Sequence, residues 1–136
     1  MRRFLLIVAL LAPFVASCAS TQQKSVIALP NGYYLQPDAK QQTEIAKRNG
    51  ARVLPGPIAA YTVSGEIVTG ALGAPSAASR SYANDLPFQG SPETRYFVLD
   101  TTSGRLDRDL DATGWQQRLK DLGISAAPRL YAPIRW

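Results

Sequence analysis

Histidine is absent from this 136-residue chain, and cysteine occurs once, at Cys18. With no imidazole and one thiol, the usual nitrogen and sulfur ligands for zinc, iron or copper are missing. The same two counts exclude Ser-His-Asp and Cys-His nucleophile systems, so no cofactor is expected. Long apolar runs are lacking as well. Phe4 to Ala12 is apolar throughout, yet it falls well short of the roughly 20 residues a membrane-spanning helix needs. Dense positive charge is also missing. The formal charge of +5 falls to +3 once Arg2 and Arg3 are set aside, and Lys47-Arg48 is the only adjacent basic pair beyond them. A nucleic-acid surface would be denser, so no nucleic-acid partner is expected. A mildly basic surface suits a position near anionic lipid or peptidoglycan.

The N-terminus carries the clearest pattern. Arg2 and Arg3 precede the apolar stretch Phe4 to Ala12, and small residues lead to Cys18. This is the arrangement of a removable secretory signal. Ala16-Ser17-Cys18-Ala19 would also loosely satisfy the cleavage rule of an ordinary signal. A lone cysteine in an exported chain, however, has no disulfide partner and would leave a free thiol. Val15-Ala16-Ser17-Cys18 resembles the lipobox of bacterial lipoproteins. That resemblance covers about the first eighteen residues. It implies cleavage before Cys18 and acyl chains, palmitate among them, that hold Cys18 in a membrane. In that family the residue after the cysteine sorts the protein. Ala19, not Asp, is similar to the pattern of lipoproteins sent to the outer membrane. The domain is expected to face the periplasm.

Cleavage would leave 119 residues, enough for one domain and too few for two. Residues 18–29 are mainly polar and read as a tether, with one globular domain over 30–136. Asn31-Gly32 signals a turn and Tyr33-Tyr34-Leu35 a short strand. Residues 38–50 fit either a helix or a hairpin. The helix would have a poor apolar stripe. The hairpin places Thr43, Ile45 and Lys47 on one face and turns at Asn49-Gly50, a type I′ signal, into Arg52-Val53-Leu54. Ile58 to Leu72 reads as two strands joined at Val63-Ser64-Gly65-Glu66 or as one strand with a bulge, with Tyr61 and Val63 facing the core. Ala74 to Pro92 is a long segment of little periodicity. Arg95 to Leu99 is the clearest strand, followed by a turn at Asp100 to Gly104. A helix over 112–122 is predicted from Asp111 as N-cap, the spacing of Trp115, Leu119 and Leu122, and Gly123 beyond its end. Arg118 is expected on its wet face. Ile124 to Trp136, with Pro128 and Pro133, suits a wrapping tail. The sum is an α+β class: a small antiparallel sheet of about five or six short strands with one C-terminal helix.

Candidate chemistry is thin. Asp107, Asp109 and Asp111 alternate near Asp100, as calcium ligands do at the start of an EF-hand loop. Ala112 then stands where that loop needs glycine, and Arg118 where it needs glutamate, so a solvated turn with Asp111 as cap is the better account. Glu66 with Glu93, or Asp85 with Glu93, are the carboxylate pairs available for acid-base work on a glycan. Gly70-Ala71-Leu72-Gly73 lacks the spacing and the following Lys of a phosphate-binding loop. Tyr33, Tyr34, Tyr61, Tyr82, Phe88, Tyr96 and Trp136 would either fill a small core or line a groove for glycan or peptide. Tyr82 and Phe88 sit in the long loop, where aromatics are exposed unless they pack or bind, and are the expected partner contact. A terminal Trp136 resembles the last residue of outer-membrane barrels, but the chain is too short in long alternating strands for one.

The expected function is therefore non-enzymatic: a lipid-anchored envelope protein whose domain binds an envelope protein or cell-wall component. A carboxylate-dependent enzyme acting on an envelope glycan, and a purely structural subunit of an envelope complex, are the alternatives.

Overall fold

The computed structural model describes residues 26–73 and 88–133. Two antiparallel sheets of four strands follow one another along the chain. The first has the order β1 (Ile27–Ala28), β2 (Tyr33–Pro37), β3 (Thr43–Lys47) and β4 (Arg52–Leu54). The second runs β5 (Ile58–Ser64), β6 (Ile67–Leu72), β7 (Arg95–Asp100) and β8 (Leu106–Leu110). One helix, α1 (Ala112–Asp121), comes after β8. The α+β class and the C-terminal helix match the sequence expectation. The single sheet of five or six strands is corrected to two sheets and eight strands among the described residues. The fold also starts before Pro30, because Ile27 and Ala28 pair with Leu35 and Tyr34 and Leu29 is buried.

Pairing decides which side chains meet. Leu35 lies opposite Ile45, and Ile45 opposite Leu54; all three are fully buried. They pack on Ile58, Val68, Phe97 and Leu99 of the second sheet. Successive strand residues point to opposite faces, so the second sheet has another apolar face. Ala60, Ala71, Tyr96 and Val98 lie there against Trp115 and Leu119 of α1 and Leu130 of the tail. The second sheet is thus the middle of three layers, with a sheet on one side and a helix on the other. This explains the unbroken apolar run Tyr96 to Leu99, each residue of which is buried.

Residues 38–50 form the hairpin, not the helix. Its turn differs from the type I′ expectation. Lys47 N–H donates to Ala51 O and Gly50 N–H to Lys47 O, both at 2.8 Å. Gly50 is left-handed at φ +84°, whereas Asn49 is not in the positive-φ region. The connection is therefore a three-residue loop closed by a left-handed glycine. Asn49 Oδ1 accepts the Ala51 N–H at 2.9 Å. β5 and β6 pair as a hairpin, the first of the two readings of residues 58–72. Val63 is 41% exposed at its tip and not in the core, because the packed part of β5 lies at Ile58 to Ala60, where a register shift turns the strand.

α1 starts as expected, with Asp111 Oδ1 accepting the Gly114 N–H at 2.7 Å. Trp115 and Leu119 are buried. Arg118 is not a freely solvated residue: its side chain is 18% exposed and its Nε lies 2.7 Å from Asp107 Oδ2. The tail wraps as expected. Tyr61 and Tyr131 exchange backbone hydrogen bonds of 2.9 and 3.1 Å, and Phe88 N–H donates to Leu130 O at 2.6 Å.

Candidate functional site

At one end of the sandwich, the turn before β2 and the end of β3 face the β7–β8 turn. Three stretches distant in sequence meet there, around residues 31–33, 47–49 and 101–104. Asn31 sits in the left-handed region at φ +57°, a conformation Asn tolerates better than most residues. This turns its Nδ2 onto Thr101 Oγ1 at 2.9 Å. Thr101, itself buried, donates its hydroxyl to Glu66 O at 2.5 Å. The two sheets are thereby joined by a chain of hydrogen bonds at the rim of their shared core.

The β7–β8 turn is built on Asp100. Its carboxylate accepts the Thr102 and Ser103 N–H groups at 3.0 and 3.3 Å, and Gly104 N–H donates to Asp100 O at 2.8 Å. Partial desolvation acts to raise the Asp100 pKa. The Thr102 and Ser103 hydrogen bonds and the Arg118 charge outweigh it, and the carboxyl is held below its ordinary value. Thr102 gives its hydroxyl to the Glu66 carboxylate.

Between these parts lies a cleft of about 480 Å³. Its floor is Tyr33, which is only 5% exposed. Lys47 Nζ stands 5.8 Å from the centre of the Tyr33 ring, within cation–π range. Arg48 N–H bonds Gly32 O at 3.0 Å, and the Arg48 side chain is exposed at the rim. Among the described residues, ion pairs hold Arg52, Arg105, Arg108 and Arg118. Lys47 and Arg48 are in none of them. No carboxylate lines the cleft. The arrangement offers two cations outside the ion pairs of the described residues, Lys47 and Arg48, and several hydroxyl and amide groups, a set suited to holding a negatively charged or strongly polar ligand.

The residues singled out in the sequence are dispersed. Cys18, Ala19, Tyr82, Asp85 and Trp136 lie outside the described residues. Phe88 is half-buried and packs on the cluster around Trp115. Tyr33 and Tyr96 are buried, whereas Tyr34 and Tyr61 are half-buried. Glu66 and Glu93 do not form a pair. Ile67 lies opposite Asp100 and Leu72 opposite Arg95, so the two glutamates lie beyond opposite ends of the β6–β7 ladder, which itself spans about 17 Å at 3.3 Å per residue. Asp107 is held by Arg118 and Arg105, Asp109 by Arg108, and Asp111 caps the helix.

Sequence reading passed over the cleft. Lys47-Arg48 was visible only as an adjacent basic pair, and Asn31-Gly32 and Asp100 to Gly104 only as turns. Nothing local joins them, since sheet-on-sheet packing creates the site. Compared with protein-family models, with curated proteins and with solved structures, the chain matches none.

Proposed function

We propose that the protein is a lipid-anchored component of the bacterial cell envelope whose single domain works by binding and not by catalysis. The lipobox-like run ending at Cys18 supports the anchor, and Ala19 supports an outer-membrane address. One observation carries the binding reading: the cleft on Tyr33 gathers Lys47, Arg48 and polar groups, while Glu66 and Glu93 stand too far apart to act together. The partner is an envelope protein or a cell-wall component. Because Phe88 is engaged with the protein's own core, Tyr82 is the loop aromatic through which a protein partner is to be sought.

Intact mass of the detergent-extracted protein tests the anchor. The expected species begins at Cys18 and carries acyl chains, and the Cys18→Ala variant loses both the added mass and the membrane fraction. An unmodified mass in the soluble fraction would overturn the anchored reading.

A further inference from the structure

We propose that the cleft on Tyr33 is an oxyanion site, taking a phosphate or carboxylate group carried by a polar ligand. The proposal rests on the binding reading above and names the chemistry of that binding.

Tyr33 is only 5% exposed and belongs to the first core cluster, yet its hydroxyl has no hydrogen-bond partner among the described residues. That hydroxyl is aimed into the cleft. Gly104 lines the opposite wall, and a Cβ built there would stand 3.4 Å from the Tyr33 oxygen. A phenol fixed by core packing and left without a partner is a preorganised donor, because little rotamer freedom remains to be lost on binding.

Charge agrees with this. Lys47 is held above the same ring, and Arg48 follows it in the hairpin loop, so two cations flank the phenol. A guanidinium and an ammonium with an O–H donor form the usual set for a carboxylate or a phosphate. Asn49 adds a side-chain amide at the rim: its Oδ1 is occupied by Ala51 N–H, which leaves the NH₂ group to donate. The neighbouring carboxylates do not oppose the ligand directly. Asp100 is turned into its own loop and Glu66 onto Thr102. The cleft is open to solvent and about 480 Å³ in volume, so an oxyanion held there keeps part of its hydration and can be one end of a larger polar ligand.

The test uses the mature chain, residues 18–136, with Cys18→Ala so that acyl chains do not contribute. Backbone amide shifts are followed during titration with inorganic phosphate and, separately, with sodium acetate. Saturable shifts confined to residues around Gly32, Arg48 and Thr102–Gly104 are expected. Affinity should fall about tenfold when Lys47→Ala and Arg48→Ala are combined, both being exposed, and about fivefold with Tyr33→Phe. Lys120→Ala, on the exposed face of α1, should change neither. Scattered shifts, or equal affinity in all variants, would overturn the site.

Sedimentation with phosphatidylglycerol vesicles separates the sources. Vesicle binding that disappears with the double variant, together with cleft shifts, supports the site with a lipid headgroup as ligand. Cleft shifts without vesicle binding support it with a soluble or cell-wall ligand. Vesicle binding without cleft shifts overturns it. Crosslinking of the anchored protein to an envelope neighbour, unchanged by the double variant and with no cleft shifts, overturns the oxyanion site while leaving the broader binding reading in place.

Discussion

Trp115 illustrates how one side chain ties a helix to a sheet. Its ring stacks on Tyr96 with centroids 4.2 Å apart and planes 7° from parallel. Its Nε1–H donates to Thr69 Oγ1 at 2.7 Å, and Thr69 donates to Phe97 O at 2.7 Å. Thr69 is fully buried, so its hydroxyl depends on these two partners. Trp115→Phe keeps an aromatic ring but leaves the hydroxyl oxygen without a donor, and should destabilise by about 2 kcal/mol. Combining it with Thr69→Val should cost less than the sum of the single changes, because the second removes the group the first strands. Urea unfolding of the three variants measures this. That Trp115 would be buried was legible from its spacing with Leu119. Its partner was not, since Thr69 lies 46 residues away and no local pattern joins them.

At the scale of elements, the hairpins were legible because turn chemistry is local. Asn49-Gly50, Gly65 and the Asp100–Gly104 turn each sit where a strand reverses. The division into two sheets was missed, although a physical cue was present. Tyr96-Phe97-Val98-Leu99 is apolar on both faces, and one helix can cover only one of them; a second layer was required. Gly70 marks the tightest point of that middle sheet. A Cβ there would lie 2.1 Å from Ala60 O and 2.9 Å from the Phe97 ring. Neither a paired strand backbone nor a fully buried ring can give way. Gly70→Ala is therefore expected to destabilise by about 2–3 kcal/mol, seen as a lower urea midpoint. Gly65→Ala is the informative contrast. Its Cβ meets nothing within 4 Å, but its φ of +59° strains any side chain, so its cost is one of backbone alone, about 1 kcal/mol.

For the whole molecule, titration limits stability at both ends of the pH range. Asp100 is more acidic in the fold than in the unfolded chain. A group shifted in that direction supports the fold above its unfolded pKa, and that support is lost as pH falls through the lower folded value. Burial raises the phenols of Tyr61 and Tyr96. Their contribution is complete below the ordinary value of 10.0 and is lost as pH rises through the higher folded values. The urea midpoint should thus fall below about pH 4 and above about pH 10. Asp100→Asn should flatten the acid limb, and Tyr61→Phe with Tyr96→Phe the alkaline one. At this scale the candidate site was illegible in the sequence. Tyr33, Lys47 and Ser103 come together only when one sheet lies on the other, and a linear pattern does not encode that juxtaposition. The strand flanks have a further consequence. β1 has two residues and β4 three, while the open side of β5 is bridged at Tyr61 by Tyr131. β8 is kinked by Asp109 at φ +57° and bears alternating Asp and Arg side chains. Among the described residues, the sheet edges are therefore short, bridged or charged, the devices by which proteins discourage strand addition. Copies brought side by side would find no long ladder to extend among the described strands, so main-chain augmentation is disfavoured there.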